Sequence, residues 1–111
     1  MSTIFGLIIE GKIPSKKVFE NERILAIEDI HPVAPVHILI MPKKPIPNLQ
    51  SVEPGDWPLI AELLQVAQKI AEEKEVEEGY RLLTNNGPDA GQTVFHLHFH
   101  LIGGRVLGKM C

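Results

Sequence analysis

The chain has 111 residues, 44% hydrophobic and 23% charged, and its eleven Lys and Arg against fourteen Asp and Glu give a net charge of -3. This predicts a single domain over residues 1–111. It argues against a nucleic-acid duplex or an anionic membrane as partner, because both are bound through an excess of Lys and Arg. The one cysteine, Cys111, rules out an intrachain disulfide, and no apolar run approaches the ~20 residues that span a bilayer. Met1 to Phe5 has no basic stretch followed by an apolar core, so a cytoplasmic location is expected.

Ile4 to Ile9 is apolar apart from Gly6 and suits a short helix or a strand, broken by Ile13-Pro14-Ser15. Lys17 to Glu20 is a strand candidate, Asn21-Glu22 a hairpin turn, and Arg23 to Asp29 a second strand. Two prolines make Ile30 to Pro35 a loop. The β-branched run Val36 to Met41 reads as a central strand, and Pro42, Pro45 and Pro47 then hold the chain extended. Asp56 is a candidate N-cap for the one long helix, with Pro58 tolerable in its first turn. Ile60, Leu63, Leu64, Ala67, Ile70 and Ala71 form its apolar stripe. The Glu-rich stretch to Glu78 reads as a solvated helix end, stopped by Gly79. Tyr80 to Thr84 is strand-like, Asn85 to Gly91 a turn-rich loop, and Thr93 to Ile102 a last strand closed by Gly103-Gly104. One long helix and about five strands predict an α+β fold with a mainly antiparallel sheet.

Three of the five histidines fall in His96-Leu97-His98-Phe99-His100. Side chains alternate along a strand, so His96, His98 and His100 share one face while Leu97, Phe99 and Leu101 point to the core. A solvated polar face is an improbable use of three imidazoles. Zinc takes three protein ligands at catalytic sites, and His31 and His37 offer further nitrogens. No acidic residue, however, lies between Asp89 and the C-terminus. Nucleophilic or acid–base imidazole chemistry fits best, because neutral imidazole is nucleophilic at pH 7. The loop from Asn85 to Thr93 leads straight into these histidines. Its glycines allow close backbone approach, and successive N–H groups in such a loop can bind an anion. A phosphate between loop and histidines is the natural hypothesis. His37 suits a role in orienting a catalytic histidine. His31 reads as loop surface and Trp57 as packing at the helix start.

The motif His96 to Ile102 resembles the His-φ-His-φ-His-φ-φ signature (φ hydrophobic) of the histidine triad superfamily. Gly91-Gln92-Thr93-Val94-Phe95 before it and Gly103-Gly104-Arg105 after it are similar to the Hint branch of nucleoside phosphoramidases. Thr3 to Pro14, Phe19 to Ile30 and Ala34 to Lys44 resemble further Hint segments in order. The resemblance implies two protomers joining their sheets in a homodimer, with a short N-terminal helix and a purine mononucleotide (AMP or GMP) in each. It implies that His98 attacks the α-phosphorus of an adenosine 5′-phosphoramidate or aminoacyl-adenylate, giving an adenylyl-histidine that water resolves. It makes His100 a phosphate and leaving-group partner, with His96 and His37 supporting the nucleophile. It assigns Asp29, with Ile30 beside it, to the ribose, and Asn85, Gly91, Gln92 and Thr93 to the phosphate. Phe5, Ile8, Phe19 and Ile27 become candidates for the base slot. It implies no cofactor.

Some bacterial relatives bind a structural zinc through an early Cys-x-x-Cys. Here those positions read Thr3-Ile4-Phe5-Gly6, so no metal is expected. The chain ends six residues after Arg105, and in the Hint branch the tail often shapes leaving-group preference, so substrate range is open. A dinucleoside polyphosphate hydrolase using the same triad and a nucleotide-binding module with little catalysis are the competing readings.

Overall fold

The structure, a computed structural model, describes residues 3–110. Cys111 lies outside the described residues. A short helix α1 (Ile4–Ile9) is followed by strands β1 (Lys17–Glu20), β2 (Ile24–Glu28) and β3 (Val36–Pro42). Then come the long helix α2 (Trp57–Glu73) and strands β4 (Tyr80–Leu83) and β5 (Phe99–Gly103). The strands form one sheet in the order β1-β2-β3-β5-β4, every neighbouring pair antiparallel. The fold is therefore the expected α+β class.

Alternation in the strands divides the core into two layers. Ile24, Ala26, Ile38, Ile40 and Leu101 face α2, while Leu25, Ile27, Leu39 and Met41 face α1 through Phe5 and Ile8. The helix α2 closes its side with Ile60, Leu63, Val66, Ala67, Ile70 and Ala71. Full burial of a Leu or Ile such as Leu63 or Ile70 contributes roughly 1.5–3 kcal/mol. Leu64 departs from the expected stripe: it lies on the exposed flank, and Val66 takes its place. Among the described residues no helix is long and apolar enough to cross a membrane.

Both ends of α2 depart from expectation. Asp56 is the N-cap residue, but its side chain does not cap α2. Its carboxylate instead accepts from the Glu53 N–H in the preceding 3-10 turn and from Lys44 Nζ, which holds its pKa below the usual value. At the other end the helix stops at Glu73, well before Gly79. Glu75 adopts φ 60°, the Val76 N–H reaches back to the Ala71 carbonyl, and the Glu75 N–H bonds the Glu72 carbonyl. These are the bonds of a Schellman motif, with Glu75 where glycine is usual and buried Val76 as its apolar latch.

The last strand is also shorter than expected, beginning at Phe99 rather than Thr93. Its ladder with β3 ends at the Ile40–Phe99 pair. Beyond it β3 runs into Pro42, and Pro45 and Pro47 follow, so no regular row of donors is offered. Residues 93–98 are held by other bonds, among them Leu97 N–H to the Ile46 carbonyl at 2.6 Å. The alternation survives without the ladder. Leu97 and Phe99 are buried on the α2 side, and the histidine rings lie on the α1 side against Phe5.

Candidate active site

A cleft of about 300 Å³ opens on the α1 side of the sheet. Ile4, Phe5 and Ile8 of α1, Ile27 and Glu28 of β2 and Leu39 of β3 line it. The segment after β2 adds Asp29, Ile30 and His31, and the approach to β5 adds Thr93, Val94, His98 and then His100. One end is an apolar slot and the other a cluster of imidazoles.

Hydrogen-bond partners assign the ring protons. His98 Nδ1 is 2.7 Å from the His96 carbonyl, which only accepts, so Nδ1 carries the proton and Nε2 the free lone pair. The Thr84 hydroxyl donates to the His98 carbonyl at 2.7 Å, and the edge of Phe5 packs on the His98 ring with centroids 4.9 Å apart. Ring and backbone are thus both fixed. His37 Nδ1 accepts the Val33 N–H at 3.1 Å, so its proton sits on Nε2. That proton is donated to His100 Nδ1 at 2.9 Å, which leaves His100 with its own proton on Nε2. The result is a lone pair on His98 beside a donor on His100, with ring centroids 5.2 Å apart. Asp29 Oδ2 lies 3.3 Å from His37 Nε2, and Asp29 Oδ1 accepts the His31 N–H at 2.8 Å.

Electrostatics keep these rings neutral. Burial lowers the pKa of His98, His96 and His37, partly offset at His37 and His98 by the Asp29 carboxylate. Burial, then the neighbouring His98 and His37, push His100 down to about 4. At pH 7 the His98 lone pair is therefore available for attack.

Several candidate residues do not reach the cleft. His96 is buried beneath it. Its Nε2 donates to the Pro42 carbonyl at 2.7 Å, and its Nδ1 has no partner among the described residues. It serves His98 through its backbone carbonyl, not its ring. Phe19 lies on the opposite face of the sheet, packed on the α2-side core with Lys69 Nζ 5.8 Å from its ring centroid. It cannot line a base slot on the α1 side. Asn85, Gly91 and Gln92 are not part of the lining. The amides of Gly87, Ala90, Gly91 and Gln92 are all bonded within the loop. Buried Gln92 ties that loop to the Pro47 and Val94 carbonyls. The loop acts as a self-locked block that presents Thr93. Ile4, Glu28, Leu39 and Val94 in the lining, and Thr84 behind His98, are additions to the expected set. His31 is exposed on its loop, as expected, and also lines the cleft. Alternation along β3 puts Leu39 on the face of His37 and Met41, but only the pairing with Ile27 brings it into the cleft; Thr84 carries no local signal.

Asp29, His37 and His100 also bring ligand atoms within 4.8 Å of one another. A cation there would displace the His37–His100 proton, so the same atoms serve either a proton relay or a metal, not both.

The family profile described as HIT domain matches residues 10–107. A HIT-like protein of Chlamydia pneumoniae is 52% identical over 108 residues, covering 97% of this chain and 98% of the relative. The crystal structure of a HIT family hydrolase from Legionella pneumophila Philadelphia 1 superposes with a TM-score of 0.94 at 44% identity, covering 96% of each chain. That of a histidine triad nucleotide-binding protein from Candida albicans gives 0.84 at 33% identity, covering 99% of this chain and 84% of the other. The chain belongs to the histidine triad (HIT) family.

Proposed function

We propose that the protein is a purine nucleoside phosphoramidase, a hydrolase of the Hint type acting on adenosine 5′-phosphoramidates and related adenylate conjugates. The observation that carries this reading is the hydrogen bond from His98 Nδ1 to the His96 carbonyl, which bares Nε2 in a cleft beside a second imidazole donor. The names of the Legionella and Candida structures, a hydrolase and a nucleotide-binding protein, agree with it.

In this reading the purine lies among Phe5, Ile8, Ile27 and the exposed Ile30, and the Asp29 carboxylate accepts from the ribose hydroxyls. His98 Nε2 attacks the α-phosphorus, an N–P bond forms, and the bond from phosphorus to the amine breaks. His100 Nε2–H gives its proton to the departing amine. Water then attacks phosphorus, returns a proton to His100 and breaks the His98–phosphorus bond, releasing AMP. Splitting one displacement in two is what a positioned nucleophile contributes, and the donors of His100 and Thr93 stabilise charge on the phosphoryl oxygens. The decisive assay compares AMP release from adenosine 5′-phosphoramidate and from diadenosine polyphosphates. Faster turnover of the phosphoramidate is expected. Preference for the dinucleotide would transfer the protein to the polyphosphate hydrolases, and AMP binding without turnover would make it a binding module.

Pairing of two copies belongs to the same reading. Trp57 and Leu64, seven residues apart on α2, are exposed on one helix face, and β4 is an open edge strand of the sheet. Sedimentation velocity should give twice the mass of the chain at micromolar concentration, and a single-chain species would remove the homodimer.

A further inference from the structure

Gly103 ends β5 and Gly104-Arg105 follow it, and none of the three lines the cleft. Gly104 has φ +92°, and a Cβ there would sit 3.0 Å from Cβ of Pro35. Only glycine lets the backbone turn so close against the segment joining β2 to β3. One residue on, Arg105 Nη2 donates to the Val33 carbonyl at 2.9 Å, while Nη1 donates to the Val106 carbonyl at 2.9 Å. Val33 is the residue whose N–H occupies His37 Nδ1.

We propose that Arg105 is a positioning residue for His100, acting by gripping Val33 so that the Val33 N–H stays on His37 Nδ1. The chain of bonds runs from Arg105 Nη2 to the Val33 carbonyl, from the Val33 N–H to His37 Nδ1, and from His37 Nε2 to His100 Nδ1. Its effect is a choice between two proton arrangements. With Val33 in place, His37 keeps its proton on Nε2 and His100 presents Nε2–H to the cleft. With Val33 released, water competes for His37 Nδ1 and the proton can sit there. Two bare nitrogens would then face each other across 2.9 Å unless His100 moved its own proton to Nδ1. That shift strips the cleft of its donor. The segment needs an external grip because His31, Pro32 and Val33 are all exposed and lie outside both core layers.

The kinetic consequence rests on the phosphoramidase reading; the proton arrangement does not. The test is 15N NMR of histidine-labelled protein without substrate, comparing wild type, Arg105→Met and Arg105→Lys. Arg105 is exposed, so Arg105→Met, which keeps the stem and loses the donors, should fold. The wild type should show His37 and His100 as Nε2–H. Arg105→Met should show both rings shifting toward Nδ1–H. Arg105→Lys, which retains a donor, should restore the wild-type pattern. The rate of AMP release in Arg105→Met should fall on the order of tenfold in kcat, with KM nearly unchanged. Unaltered tautomers in Arg105→Met would overturn the proposal whatever the rate does. So would a tautomer shift with unaltered kcat on a substrate that the wild type turns over.

Discussion

His98→Ala is expected to lower AMP release from adenosine 5′-phosphoramidate by roughly 10⁴-fold or more, because in the proposed two-step displacement it deletes the attacking atom. The neighbouring rings cannot substitute. His100 has its Nδ1 occupied by His37 and a proton on Nε2, and His96 is buried with Nε2 committed to the Pro42 carbonyl. Binding should survive better than turnover. Phe5, Ile8 and Ile27 belong to the core layer or strand beneath the cleft, and Asp29 is held by His31 N–H and His37. Calorimetric AMP affinity within about tenfold of wild type, beside the lost rate, would separate loss of chemistry from loss of fold. Turnover within tenfold of wild type would remove His98 as nucleophile. Mass spectrometry of the rapidly quenched wild-type enzyme should find the adenylyl adduct on the peptide carrying His98.

The second large effect concerns acid. Four histidines, His37, His96, His98 and His100, have pKa values lowered by burial, His100 to about 4. In the unfolded chain each titrates near its ordinary 6.5. Above that pH both states are neutral and the histidines carry no penalty. As pH falls below 6.5 the unfolded chain binds protons that the folded one refuses, so unfolding takes up protons and stability drops. The loss from His100 continues until about pH 4, where the folded ring also protonates, and on that shift it amounts to roughly 3 kcal/mol. Glu20 acts in a lower window. The Lys17 and Lys43 ammonium groups hold its pKa at about 2, so its share persists above the ordinary carboxylate range and is lost on the way down to 2. Urea unfolding at a series of pH values should show the free energy of unfolding falling between pH 6.5 and 4.5. A flat profile across that window would mean that these rings are not held neutral by burial. The rate should begin to fall only at lower pH than the stability does, since burial delays the protonation of His98 that removes the lone pair.

Much of this architecture was legible along the chain. The i, i+3, i+4 spacing marked α2, and β-branched runs marked β2 and β3. The misplaced boundaries share a cause. Local composition points to Gly79 and Thr93 as limits. The actual limits were set by the left-handed turn at Glu75 and by where β3 runs out of donors at Pro42. The resemblance implies a place for Phe19 in the base slot, whereas its pairing with Ala26 puts it on the α2 face. The loop before the histidines is turn-rich, as its composition implies. Nothing in its composition told that its amides would be spent on itself.

The sequence alone determined which residue types stand on which side of the chain. Alternation sends Leu97, Phe99 and Leu101 one way and the histidines the other, and this depends only on extended backbone geometry. It could not determine where the protons sit. On His98 the proton is placed by the carbonyl two residues back, but on His37 and His100 it is decided by contacts between residues far apart in the chain, His37 with His100 and Arg105 with Val33, while burial lowers the pKa of His37, His96, His98 and His100. An imidazole becomes nucleophile, donor or buttress according to what its second nitrogen meets, and only the folded chain supplies that neighbour.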